Sequence, residues 1–108
     1  MVPVSLSLIG IDLGGTKCAV CVPAGPDGIR ETARFATADP ESTLARLFRE
    51  IDALAPGPDP VFGVSCGGPL DATRGLILSP PNLPGWNRVA ICEALTQRYG
   101  GRATLMND

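Results

Sequence analysis

The run Gly10-Ile11-Asp12-Leu13-Gly14-Gly15-Thr16-Lys17 sets two adjacent glycines beside a carboxylate, a hydroxyl and an ammonium. Paired glycines let the backbone turn sharply and bare its amide hydrogens, and Thr16 and Lys17 add further partners for phosphate oxygens. The segment reads as a phosphate cradle, with an ordinary glycine hairpin turn as the plainer alternative. It is not a Walker loop, because the order is Gly-Thr-Lys and the following residues read as a strand instead of a helix. It is not a dinucleotide fingerprint either, since the G-x-G-x-x-G spacing is missing and Asp12 would face a pyrophosphate. A carboxylate beside phosphates is tolerated when a divalent cation lies between them, usually through water, which is the habit of Mg²⁺. Asp12 therefore points to Mg-nucleotide.

Two other segments carry chemistry. Ser65-Cys66-Gly67-Gly68-Pro69-Leu70-Asp71 follows an apolar run, and Asn107-Asp108 follows another. The chain has no His, so a carboxylate is the natural candidate for a general base; the plainer reading of Asn107-Asp108 is a polar strand end. Asn82-Leu83-Pro84-Gly85-Trp86 fits a substrate contact or a rigid packed turn equally well. Asp71 reads as a support for its own turn. Arg46, Arg49 and Glu50 read as the solvated face of a helix. Cys18-Ala19-Val20-Cys21 has the spacing of zinc and redox sites. It lies in a strand-like run where residues three apart point to opposite faces, so Cys18, Cys21, Cys66 and Cys92 are expected to be small core residues, with no metal site.

The elements that must position these groups follow from periodicity. Val4 to Ile11, Lys17 to Val22 and Ile29 to Thr37 read as strands of a β-meander, the last reached through a turn at Asp27-Gly28. Asp39-Pro40-Glu41 is a helix start, and Leu44, Leu47, Phe48, Ile51 and Leu54 recur at helical spacing up to Pro56-Gly57-Pro58. Val61 to Cys66 is a short buried strand, and Gly75 to Leu78 a further strand or hairpin arm. A second helix, about Val89 to Tyr99, should bury Ile91, Leu95 and Tyr99 and stop at Gly100-Gly101. Ala103 to Met106 is the last strand. Meander followed by αβ units predicts an α/β fold, a mixed sheet flanked by helices. Ligands of such sheets sit beyond the C-terminal ends of the parallel strands, where the three polar segments would meet.

A length of 108 residues bounds the chain to one modest domain. A net charge of −2 with dispersed cations offers no basic face for nucleic acid. Met1 to Gly10 is apolar but short and has no basic leader, so neither a signal peptide nor a membrane span is expected, and the protein is placed in the cytoplasm.

Ile9-Gly-Ile-Asp-Leu-Gly-Gly-Thr-Lys17 resembles the opening phosphate loop of the ROK family (repressors, open reading frames and sugar kinases). Gly63-Val-Ser-Cys-Gly-Gly-Pro-Leu-Asp71 is similar to that family's substrate loop. Ser79-Pro-Pro-Asn-Leu-Pro-Gly-Trp86 resembles its Asn-Leu-Pro-Gly-Trp segment, and Met106-Asn107-Asp108 the start of its Asn-Asp-Ala-Asn motif. These stretches occur in family order along the chain. The resemblance implies the N-terminal lobe of an actin-like, ribonuclease H-like ATPase fold. It also implies ATP-dependent phosphorylation of a hexose or N-acyl hexosamine. In that reading Asp108 is the base, Asn107 hydrogen-bonds a neighbouring sugar hydroxyl, Gly68 approaches the sugar through its backbone, and Asn82 contacts the substrate. Asp12, Gly14, Gly15, Thr16 and Lys17 would face the ATP phosphates and Mg²⁺. The resemblance implies a homo-oligomeric parent as well.

The sequence departs from the family in two ways. The second lobe, with its adenosine pocket, sugar-binding Glu and His and Cys-rich zinc motif, has no counterpart within these residues, so the chain by itself is expected to be inactive. Gly67-Gly68-Pro69 stands where many members have Pro-Gly-Pro, which is expected to shift sugar preference. Without the helix that closes this lobe in the family, one sheet face should expose an apolar patch and favour self-association or low stability. Two other functions fit parts of the pattern: the sugar-sensing domain of a ROK repressor, and an actin-like module without sugar chemistry. The intact Gly14 to Lys17 loop and the absence of residues for a preceding helix-turn-helix weigh against the repressor, and the substrate-loop and Asn-Asp resemblances weigh against the second.

Overall fold

The computed structural model describes residues 8–108. The start of the predicted first strand, from Val4 to Ser7, and most of the apolar leader stretch lie outside the described residues. In chain order the elements are β1 (Leu8–Leu13), β2 (Lys17–Ala24), β3 (Gly28–Ala36), α1 (Pro40–Leu54), β4 (Val61–Cys66), β5 (Leu70–Asp71), β6 (Leu76–Ile77), β7 (Val89–Ala90), α2 (Ile91–Tyr99) and β8 (Arg102–Asn107). Strands β1 to β3 form the antiparallel meander, and β4 and β8 add to it in parallel, giving the order β3-β2-β1-β4-β8. The two-residue strands β5, β6 and β7 form a small antiparallel sheet of their own.

Strand alternation decides what the large sheet buries. Ile9, Ile11 and Leu13 of β1, Phe62, Val64 and Cys66 of β4, and Leu105 of β8 point into the core. Both helices cover that face. Leu47 and Ile51 of α1 are fully buried, while Ile91 and Leu95 do the same for α2. The helices meet where the Tyr99 ring packs on Phe48 of α1 and Phe62 of β4. Asp39 caps α1 by accepting the Ser42 N–H at 3.0 Å, and Pro40 opens the helix as its start signal required. Of the three residues expected on a solvated face, Arg49 is exposed and Arg46 and Glu50 are half-buried, with the Arg46 guanidinium 5.0 Å from the Phe35 ring centroid.

Some expectations are corrected. The second helix starts at Ile91 and not at Val89, because Val89 and Ala90 pair with Ile77 and Leu76 and their backbone groups are taken up in a ladder. Tyr99 is half-buried: its ring packs in the core while its hydroxyl reaches out, donating to Asp52 Oδ1 at 2.7 Å and lying 3.1 Å from the Phe48 carbonyl. Cys18 and Cys66 are core residues, but Cys21 and Cys92 are only half-buried. Cys21 lines a shallow apolar groove with Leu8, Gly10, Ile29 and Gly63.

The second face of the sheet carries Leu8, Gly10 and Asp12 from β1, Gly63 and Ser65 from β4, and Thr104 and Met106 from β8. Leu8 and Met106 on it are exposed, as is Ile29 near the groove. The groove and these exposed side chains are the apolar part of that face, while Asp12, Ser65 and Thr104 on it are polar. No helix among the described residues is long and apolar enough to cross a membrane.

Candidate functional site at the strand ends

The parallel strands end together. Leu13 pairs with Cys66 and Cys66 with Asn107, so the residues that follow each strand share one edge of the sheet. At that edge Gly14 turns the chain back: its N–H donates to the Lys17 carbonyl at 3.0 Å. A Cβ on Gly14 would come within 2.6 Å of the same oxygen, so only glycine fits without a shift of backbone. Thr37, just past β3, braces this turn twice. Its N–H donates to the Thr16 carbonyl at 2.9 Å, and its hydroxyl donates to the Gly14 carbonyl at 2.8 Å. Thr16, Lys17 and Asp12 stay exposed.

The loop after β4 is tied to β8. The Gly68 N–H donates to Asn107 Oδ1 at 3.2 Å, and the Asp108 N–H donates to the Cys66 carbonyl at 3.1 Å. The Gly68–Pro69 peptide is cis. Asp71 supports its own turn, accepting the Arg74 N–H at 3.1 Å.

The segment from Asn82 to Trp86 is a packed turn. Leu83 and Trp86 are buried, and the indole N–H donates to the Ala38 carbonyl at 2.9 Å, which locks the turn to the start of α1. Asn82 is exposed and reaches the Gly14–Gly15 turn: a Cβ on Gly15 would lie 2.8 Å from the Asn82 carbonyl oxygen. A Cβ on Gly67 would lie 3.6 Å from Asn82 Nδ2 and 3.8 Å from Asp108 Oδ1. Gly15, Gly67, Asn82 and Asp108 thus converge, with Gly68 and Asn107 bonded beside them.

Electrostatics agrees with this placement. The Cys66 thiol, beneath the edge, is pushed up to about 11, first by burial and then by the negative charge of Asp108, with Cys18 and Asp12 adding less. Two carboxylates therefore flank one buried sulfur. Among the described residues no three or more His, Cys, Asp or Glu side chains cluster to hold an ion. A divalent cation next to Asp12 would take most of its ligands from phosphate oxygens and water, as Mg²⁺ prefers. The Gly14 turn and the exposed Asp12 and Lys17 fit such a group.

Sequence reasoning singled out Asp12, Gly14, Gly15, Thr16, Lys17, Gly68, Asn82, Asn107 and Asp108, and all lie at or beside this edge. It missed Thr37 and Ala38, which position the loops from outside any motif. Their only signal was a threonine ending a strand, which is too common to select.

The model of the ROK family matches residues 8–108. A curated relative, the glucokinase of Thermotoga maritima, is 31% identical over 95% of this chain and 34% of its own length. A ROK family glucokinase from Streptomyces griseus, solved in complex with glucose and AMPPNP, superposes with a TM-score of 0.75 at 27% identity, over 93% of this chain and 32% of that one. A ROK family transcriptional regulator, described as a homologue of the E. coli MLC protein, superposes with a TM-score of 0.72 over 96% of this chain and 28% of its own, at 16% identity, a likeness of fold alone. The shared architecture is the actin-like ATPase fold. The chain spans about a third of the length of these relatives.

Proposed function

We propose, from the premise that this chain belongs to the ROK family, that residues 1–108 form the N-terminal lobe of an ATP-dependent sugar kinase acting on a hexose or N-acyl hexosamine. One observation carries the reading: Asp108, Asn107, Asn82 and the Gly14–Lys17 turn meet at one edge of the sheet, with Gly15, Gly67 and Gly68 packed among them. Phosphoryl transfer asks mainly for positioning and charge stabilisation, together with a carboxylate to orient and deprotonate the nucleophile.

In this proposal the Asp108 carboxylate accepts the proton of the attacking sugar hydroxyl. Asn107 presents Nδ2 to a neighbouring hydroxyl, while its Oδ1 holds the Gly68 amide. The backbone of Gly67 and Gly68 lets the sugar come close, and Asn82 contacts it from the other side. Gly14 makes the turn that presents the Gly15 amide, the Thr16 hydroxyl and the Lys17 ammonium to the β- and γ-phosphates. Bound Mg²⁺ supplies neutralisation of phosphate charge, and Asp12 would hold it through water. The reading also includes a second lobe carrying the adenosine pocket, a cytoplasmic setting and a homo-oligomeric assembly.

The repressor reading is the alternative, and the intact cradle at Gly14 disfavours it, because a sensor need not hold phosphates. The test is a phosphorylation assay with ATP and a panel of hexoses and N-acyl hexosamines. The full-length protein is expected to turn over at least one sugar and the 108-residue chain none. Turnover by the chain alone, or sugar binding by the full-length protein without turnover, would overturn the proposal.

A further inference from the structure

We infer that Ser65 is a positioning residue for the cation that accompanies the nucleotide, its hydroxyl holding one of the waters of Mg²⁺ beside Asp12. The inference rests on the kinase reading and deepens it at the phosphate end of the site. β1 and β4 run parallel in register, with Asp12 opposite Ser65, and Ser65 lies opposite Met106 of β8. Ile11, Leu13, Val64 and Cys66, the residues on either side of the pair, are buried in the core. Alternation therefore sends Asp12 and Ser65 together to the open face, on strands about 4.8 Å apart.

The surroundings leave this pair to each other. Ala19, Asp12, Ser65 and Met106 form one row across the sheet, and of the four only Asp12 and Ser65 have polar side chains. Asp12 is exposed and Ser65 half-buried. Among the described residues neither side chain makes a hydrogen bond or an ion pair with the protein, not even with the other. The next residue back on this face of β4 is Gly63, where a Cβ would meet no atom within 4 Å. β4 thus raises nothing against the pair from behind, and the turn at Gly14 begins two residues past Asp12.

A carboxylate and a hydroxyl side by side suit a hydrated hard cation. Mg²⁺ takes oxygen ligands and keeps several of its waters. The Ser65 hydroxyl has two acceptor lone pairs for such a water and one proton to give to an Asp12 oxygen. Partners of this kind orient the groups that hold a metal and tune its affinity. Ser65 falls in the stretch that resembles the substrate loop, yet it belongs to β4 and stands at Asp12. Asn107, which holds the Gly68 amide, follows Met106 along β8 and so leaves that strand on the opposite face. Ser65 therefore acts on the metal–nucleotide complex and not on the sugar.

The test is calorimetric titration of AMPPNP into the full-length wild type, Ser65→Ala and Ser65→Thr, with Mg²⁺ present and with EDTA in its place, all without sugar. Ser65→Ala should weaken binding about threefold to tenfold with Mg²⁺, the scale of one hydrogen bond, and leave the Kd in EDTA unchanged. Ser65→Thr keeps the hydroxyl and should bind as the wild type does. The Mn²⁺ concentration that half-saturates the AMPPNP complex, read by electron paramagnetic resonance, should rise in Ser65→Ala by the same factor. The sugar Kd should not move. Equal weakening with Mg²⁺ and with EDTA, no weakening at all, or the same loss in Ser65→Thr would overturn the inference. A wild type that binds AMPPNP no better with Mg²⁺ than with EDTA fails the kinase reading itself, and that result is visible without either variant.

Discussion

The backbone N–H of Gly68 donates to Asn107 Oδ1 at 3.2 Å, so the loop after β4 is tied to the last residue of β8, next to Asp108. Asn107 thereby has its acceptor occupied by the protein and its donor turned outward. Asn107→Ala should lose both functions. The Gly68 amide should exchange faster with solvent, and in the full-length protein the sugar KM should rise about tenfold, the scale of one hydrogen bond. Unchanged exchange at Gly68 would show that the tie does not hold the loop.

Asp108→Asn keeps the shape of the side chain and removes the basic oxygen. In the full-length protein kcat should fall by about 10² to 10⁴, the range attributed to general acid–base catalysis. Nucleotide affinity should be retained, since the proposed phosphate loop lies between β1 and β2; a parallel loss of ATP binding would assign Asp108 a structural role.

Thr37→Val removes the hydroxyl that donates to the Gly14 carbonyl while keeping the side-chain shape. The cradle should loosen, weakening ATP binding by about threefold to tenfold. Calorimetric titration of nucleotide into the full-length protein would measure this, and an unchanged Kd would show that the backbone bond from Thr37 to Thr16 suffices.

Trp86→Phe deletes the indole donor to the Ala38 carbonyl, a partly buried hydrogen bond. The expected cost is about 0.5–1.5 kcal/mol of unfolding free energy, the net worth of one such bond, read by urea denaturation. A cost near zero would mean that water replaces the indole.

Cys66 titrates from an ordinary value of 9.0 to about 11 in the folded chain. A folded value above the unfolded one means that the folded state holds its proton more tightly. The contribution to stability is complete below pH 9.0, shrinks as pH rises, and is lost once the folded value of about 11 is passed. Between these limits the wild type should lose stability more steeply with pH than Cys66→Ala; parallel pH slopes would show that Cys66 is not so shifted.

Much of this was legible in the sequence where a local rule decides the outcome. Asp39 and Pro40 marked the start of α1, and Val61 to Cys66 was bounded as found, because caps and apolar runs are local. The start of α2 was misread because the partners of Val89 and Ala90 lie more than ten residues back, at Ile77 and Leu76. At the strand ends, residue types pointed to Asp12 and Asp108 as candidates, but not to why Gly15 is glycine. That reason is the Asn82 carbonyl, which only the folded chain brings near. The brace from Thr37 was equally hidden, since a threonine after a strand has no distinguishing pattern.

β1 is the central strand of five, paired antiparallel with β2 on one side and parallel with β4 on the other. Asp12 stands near its end, while the turn at Gly14 and Gly15 hangs beyond it. Amides of β1 should therefore open only with the whole sheet, whereas those of the turn can open locally. In the proposed kinase the turn can therefore breathe around an arriving nucleotide while Asp12, held in the sheet, stays still.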